Sequence, residues 1–150
     1  MSDYLKELRE KVGHMPLVLP HAVVILFNER NEVLLEERSD DGYFDFPGGG
    51  IDLQESGEEA ARRELLEETG LIADKLVLFN VYTGEITKYV YFNGDVIYGV
   101  DLVYLCHSFS GELKPQLEEV KSLGFYNLND LPDKMSIRNK QIVKDLLKNK

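Results

Sequence analysis

Hydrophobic and polar positions along the chain fall into segments of two different periods. At the N-terminus, "DYLKELREKV" sets apolar residues at helical spacing among charges and stops near Gly13, which predicts a short amphipathic helix. "HAVVILFN" is instead an unbroken apolar run of strand length and β-branched character, and "NEVLLEER" follows it after a turn at Asn28 to Asn31. Two strands joined so closely predict a hairpin. "KLVLFNVYTGE", "TKYVYFNGDVIYGVDLVYLCHSF" and "SLGFYNL" read as further strands, with Asn93-Gly94-Asp95 supplying the residue types of a tight turn with φ > 0. "SIRNKQIVKDLLKNK" opens on a good N-cap, Ser136, and gathers lysines toward its end, where the helix dipole favours cations.

The central segment, "PGGGIDLQESGEEAARRELLEETGL" from Pro47 to Leu71, can be placed closely. Ser56 followed three residues later by Glu59 is a capping box, and Gly70 suits a left-handed stop, so a helix is predicted from about Gly57 to Thr69. On its wheel Glu64, Glu67 and Glu68 fall at i, i+3 and i+4, on the side shared by Ala60 and Ala61, with Leu65 on the adjoining flank. The acidic stripe therefore borders the face that packs on the sheet. Helices at the start, middle and end with strands between them predict a mixed sheet covered by helices, of the α/β or α+β class. No repeat, low-complexity tract or linker divides the 150 residues, so residues 1–150 are expected to form a single domain.

Composition narrows the setting. A single cysteine, Cys106, excludes an internal disulfide and a Cys-rich zinc site, and it reads as core. No apolar run has the length of a membrane span, and the N-terminal segment lacks the apolar centre of a signal peptide, so a cytoplasmic protein without membrane association is expected. The formal charge of −10 opposes binding to a nucleic-acid polymer. A small anionic ligand is still compatible with that charge where bound cations invert it locally.

The glutamate stripe carries the chemistry. A Glu-rich helix face is ordinarily a solvated surface. Here, however, Glu64 and Glu68 repel at i,i+4, the single Arg63 does not balance three carboxylates, and the small alanines beside them leave room. A hard divalent cation answers all three features, because Mg2+ takes carboxylate and water oxygens and keeps positions open for phosphates. Gly48-Gly49-Gly50 fits neither the P-loop nor the dinucleotide fingerprint, but it permits close backbone approach, carbonyl oxygens included.

The window resembles the signature of the Nudix hydrolases, G-x5-E-x7-R-E-U-x-E-E-x-G-U with U a bulky aliphatic. Gly49, Glu55, Arg63, Glu64, Leu65, Glu67, Glu68, Gly70 and Leu71 fill every fixed position. The flanks "VLLEER" and "GYFDFPGGG" are similar to the family's preceding strand, which ends in arginine, and to its Pro-Gly-Gly entrance. Leu53-Gln54 departs from the Pro-Gly that many relatives carry there, which affects a turn and not a ligand.

The resemblance implies an α/β/α sandwich with a mixed central sheet. It further implies Mg2+- or Mn2+-dependent hydrolysis of a nucleoside diphosphate linked to another moiety, by attack of water on phosphorus. The substrate would be a nucleotide sugar such as ADP-ribose or a nucleoside triphosphate, and many relatives are homodimers. The alternative is a Nudix-fold ligand sensor or binding module without turnover, although such modules often lose carboxylates that this chain keeps. By resemblance, Glu64, Glu67 and Glu68 would ligate metal with the Gly49 carbonyl, Arg63 would fix the Glu67 rotamer, and Glu55 would support the loop or an outer-shell water. Glu118 and Glu119, just before the "SLGFYNL" strand, are expected as an additional ligand and a general base, against the reading of a solvated acidic loop. Arg38 would contact phosphate and Phe44 would lie near the substrate, each weighed against plain surface or packing roles. Tyr82, Tyr89, Tyr91 and Tyr98 are read mainly as sheet packing, and His14, His21 and His107 show no ligand spacing.

Overall fold

The computed structural model describes residues 2–149. Helix α1 (Asp3–Val12) is capped by Ser2, whose side chain accepts from the Leu5 N–H, and it ends at Gly13 with φ 64°. Strand β1 (Leu17–Leu26) then runs through the centre of the molecule. On one edge it pairs antiparallel with β4 (Gly48–Gly50), and on the other it pairs parallel with β8 (Val96–Cys106) over ten registered residues, Leu17 opposite Ile97 through Leu26 opposite Cys106. Strand β8 takes β6 (Val77–Tyr82) and β7 (Lys88–Val90) antiparallel, which completes a mixed five-stranded sheet. The β7–β8 turn carries Gly94 at φ 93°, as the Asn-Gly-Asp sequence requires.

The predicted hairpin between the second and third segments does not form. Strand β2 (Val33–Arg38) leaves β1 after one bridge, Phe27 with Val33, and joins a separate antiparallel sheet between β3 (Phe44–Asp45) and β10 (Val120–Tyr126). The reason is competition for edges, since both sides of β1 are already occupied by β4 and β8. A small pair, β5 (Leu71–Ala73) with β9 (Phe109–Gly111), closes the far end.

Side-chain parity on β1 divides the core. Ala22, Val24 and Leu26 pack against Ala60, Ala61 and Leu65 of α2 (Gly57–Thr69), whereas Val23, Ile25 and Phe27 share a second cluster with Ile142 and Leu146 of α3 (Ile137–Lys148). Helices thus cover opposite faces of a mixed sheet, the α/β/α arrangement expected. Cys106 is buried in the α2 cluster. Among the described residues no helix is long and apolar enough to cross a membrane.

Candidate active site

Helix α2 begins and ends where its sequence dictates. Ser56 accepts from the Glu59 N–H while the Glu59 carboxylate accepts from the Ser56 N–H, and Gly70 closes the helix at φ 79°. This fixed register presents Glu64, Glu67 and Glu68 toward β4 and the β2 sheet. A cleft of about 1210 Å3 opens there, lined by these three residues together with Gly49, Arg63, Arg38, Phe44, Glu118 and Glu119. The residues expected to hold metal, base and substrate therefore border one space, while Glu55 stands behind it.

The glycine run is shaped around the carboxylates. A Cβ added to Gly49 would collide with the Glu64 carboxyl carbon, and one added to Gly48 would collide with the Ala22 carbonyl. The Gly48 N–H donates to Glu68 Oε1 at 2.8 Å. Strand β4 thus holds one glutamate by a hydrogen bond and makes room for another by lacking a side chain.

Arg63 is the hub of the entrance. Its Nε and one terminal nitrogen grip Glu55 at 2.7 and 3.0 Å, its other terminal nitrogen donates to Glu64 at 2.8 Å, and it reaches the Gly50 carbonyl at 2.9 Å. The Glu67 contact expected from the sequence exists but is longer, 3.5 Å. Arg63 thus orders Glu55, Glu64 and the glycine strand more than Glu67, whose side chain remains about half exposed. Glu55 also accepts from the Asp52 N–H at 3.0 Å, so it braces the loop, and its bond to Arg63 holds its carboxyl below the usual range.

Sequence reasoning missed Glu36. It lies on β2 between β3 and β10, is only 5% exposed, and stands close enough to Glu68, itself 8% exposed, for the two carboxyls to act on each other. Burial, then the charge of Asp45, pushes Glu36 up to about 8. Burial, then Glu36, pushes Glu68 in the same direction. Charging both of these buried carboxyls at once is therefore disfavoured near neutral pH. Glu64 is also raised, first by burial and then by the charges of Glu67 and Glu119, with Arg63 opposing. A signal for Glu36 existed in strand parity, because Leu34, two residues earlier, packs in the α2 cluster.

At the cleft wall Arg38 forms a paired contact with Asp40 at 3.0 and 2.8 Å and bonds the Tyr89 hydroxyl at 2.9 Å, with its guanidinium 5.3 Å from that ring. It is a partnered cleft residue and not a free strand end. Phe44 packs edge-on against Tyr126 at 5.8 Å and also borders the cleft. Tyr82 is buried, donating to Asp145 at 2.6 Å, whereas Tyr89 and Tyr91 meet edge to face at 4.7 Å on the cleft wall. Glu118 and Glu119 are exposed at the mouth, and the Glu119 charge acts on both Glu36 and Glu64.

Among the described residues no three acidic, histidine or cysteine side chains converge into a ready-made coordination shell. The donor set nevertheless suits a hard cation. Several carboxylates crowd together, and those of Glu36, Glu64 and Glu68 are raised by burial and mutual repulsion that one arginine does not cancel.

The NUDIX domain profile matches residues 18–146. The chain is 34% identical over 137 residues to an ADP-ribose pyrophosphatase of Methanocaldococcus jannaschii, spanning 88% of this chain and 76% of that protein. It is 40% identical over 62 residues to an 8-oxo-dGTP diphosphatase of Escherichia coli, a match covering 39% of this chain and 48% of that one. The crystal structure of a MutT NUDIX hydrolase from Burkholderia pseudomallei superposes with a TM-score of 0.74 at 26% identity, covering 86% of this chain and 98% of that one. Profile, relatives and fold agree with the carboxylate cleft built from α2 and the glycine strand: the chain belongs to the Nudix family of hydrolases.

Proposed function

We propose that the chain is a Mg2+- or Mn2+-dependent pyrophosphohydrolase acting on a nucleoside diphosphate linked to a second moiety, with ADP-ribose the leading substrate. The observation that carries the reaction class is the stack of crowded carboxylates, Glu64 and Glu68, held against a glycine strand at the edge of a nucleotide-sized cleft. The leading substrate rests on the relative from M. jannaschii, whose match spans most of both chains, whereas the 8-oxo-dGTP diphosphatase match is short.

In this reading Glu64, Glu67 and Glu68 hold the cation, with the Gly49 carbonyl and Glu118 as further ligands. A cation held there would supply charge neutralisation at the phosphates and lower the pKa of a water molecule. The chain's own contribution is positioning, the larger part of phosphoryl-transfer catalysis. Arg63 and Gly48 fix two carboxylates before substrate arrives, and Glu119 at the mouth accepts the proton of the attacking water. Arg38 and Phe44 border the bound substrate, Arg38 toward its phosphates.

The test is product analysis with ADP-ribose and dGTP in Mg2+ or Mn2+, beside Glu67→Gln as control. AMP plus ribose 5-phosphate is the expected outcome with ADP-ribose, and dGMP plus pyrophosphate would transfer the reading to triphosphates. No hydrolysis of either above the control would refute it.

A further inference from the structure

Resting on the pyrophosphohydrolase reading of the cleft, we infer that Tyr89 is a positioning residue: it aims Arg38 at a substrate phosphate by tying it to the sheet that carries the metal-side glutamates. Arg38 ends β2, in the three-stranded sheet, whereas Tyr89 lies on β7, in the five-stranded sheet with the glycine strand β4. Helix α2 packs on that second sheet. Both Arg38 and Tyr89 line the cleft.

Among the described residues, every other side-chain partner of Arg38 belongs to its own stretch of chain. Its Nε and one terminal nitrogen bond the two oxygens of Asp40 at 3.0 and 2.8 Å, while Asp41 and Asp45 stand at 3.7 and 3.9 Å. These aspartates lie on the β2–β3 connection and on β3, so they do not fix the guanidinium relative to Glu64 and Gly49. The Tyr89 hydroxyl, 51 positions away, does so by accepting from Arg38 at 2.9 Å, with the guanidinium carbon 5.3 Å from the centre of its ring. Tyr89 is itself fixed, registered opposite Ile97 of β8 and edge to face with Tyr91 at 4.7 Å.

The tether matters because of the aspartates. Three carboxylates around one guanidinium offset the attraction it would exert on a phosphate from a distance, so binding depends on a directed N–H. Arg38 keeps one for the purpose. Its second terminal nitrogen donates to no group among the described residues, and its nearest acid, Asp45 at 3.9 Å, is beyond hydrogen-bond reach. Asp45 is in any case engaged by Arg138 at 3.0 Å and Asn139 at 2.7 Å. The Arg38 side chain is 31% exposed, and its unpaired nitrogen is not among the buried atoms. Without the tyrosine hydroxyl, the guanidinium is free to turn onto Asp41 and Asp45 and lose its aim.

A double-mutant cycle on Tyr89→Phe and Arg38→Gln tests this, read as calorimetric dissociation constants for α,β-methylene-ADP, whose bridged diphosphate resists hydrolysis, in saturating Mn2+. Arg38→Gln is expected to weaken binding roughly 10- to 100-fold, the worth of a charged hydrogen bond, and Tyr89→Phe roughly 3- to 10-fold, because a phosphate restores part of the aim. In the Arg38→Gln background, Tyr89→Phe should change the constant by less than about 1.5-fold, since a residue that acts through Arg38 has nothing left to position. Phe keeps the ring against Tyr91, so the melting temperature should shift by less than about 3 °C and Mn2+ affinity by less than about twofold.

Equal losses in the two backgrounds would mark Tyr89 as merely structural and overturn the inference. So would an unchanged or tighter constant in Tyr89→Phe, the latter making the Arg38–Tyr89 bridge an obstacle to the ligand, or a wild type that does not bind the analogue. Coupling between the two residues in a protein that hydrolyses nothing would instead refute the hydrolase reading and leave the tether standing.

Discussion

Replacing Glu36 by glutamine should stabilise the metal-free protein at alkaline pH and leave it nearly unchanged at pH 5. Glu36 stands at about 8 in the folded protein against an ordinary value of 4.5, chiefly through burial, with its neighbour Glu68 raised as well. The folded state therefore retains a proton that the unfolded chain has already released. Between pH 4.5 and 8 the unfolded state binds fewer protons, so stability falls as pH rises across that window. The displacement corresponds to a ceiling of about 4 kcal/mol lost by pH 8. Because the two carboxyls titrate as a coupled pair, a working range is about 2–4 kcal/mol. Glutamine keeps the shape, donates an N–H to Glu68 and carries no ionisation of its own. At roughly 2–4 °C per kcal/mol for a chain of this size, the variant should melt roughly 4–16 °C above the wild type at pH 8. Thermal melts in chelator at pH 5, 6, 7 and 8 measure this directly, and saturating Mn2+ should narrow the gap at pH 8 by compensating the charge. Parallel pH profiles for the two proteins, or a less stable variant at pH 8, would refute the reasoning.

Gly49→Ala places a Cβ against the Glu64 carboxyl, a flexible tip that can swing aside, so stability should change by less than about 1 kcal/mol while Mn2+ affinity drops at least about tenfold. Unchanged Mn2+ affinity in a calorimetric titration would show that Glu64 is not held in place by the glycine strand. Gln54 has φ 64°, a left-handed conformation that costs a non-glycine residue about 1 kcal/mol. Gln54→Gly should therefore raise the melting temperature by roughly 2–4 °C at constant pH, and a lower value would mean that the side chain offsets the strain.

What could be read from the sequence was local. The capping box at Ser56 and Glu59, the left-handed Gly70, the Asn-Gly-Asp turn and the Ser136 cap each depend on residues within one turn of chain, and each appears in the fold. The carboxylate stripe was visible for the same reason, since helical register alone sets Glu64, Glu67 and Glu68 on one side. Gln54, whose turn was expected to differ from that of the family it resembles, adopts φ 64°. The hairpin from β1 to β2 failed because turn residues at 28–31 carry no information about which strands compete for the edges of β1. The 3.3 Å contact between His21 Nδ1 and Asp101 Oδ1 escaped the sequence for a related reason. They are 80 positions apart and meet only through the parallel β1–β8 register, which no short-range pattern encodes.

Glu36 ties stability to function most closely. An apolar pair at Glu36 and Glu68 would cost no desolvation of charge and would generally pack at least as favourably. The chain instead buries two carboxyls close enough to act on each other and fixes one of them by the Gly48 N–H. Without a cation this arrangement is destabilising near neutral pH, because one proton must be held against solution. With a cation at the Glu64, Glu67 and Glu68 side chains, the same repulsion becomes part of the binding free energy, and the carboxylates need little rearrangement to use it. The cost is therefore concentrated in the state that does no chemistry, which is where a functional site can carry strain without losing rate. Removing the second buried carboxyl with Glu36→Gln should accordingly weaken the link between cation binding and thermal stability, even though the residues proposed to ligate the metal remain in place.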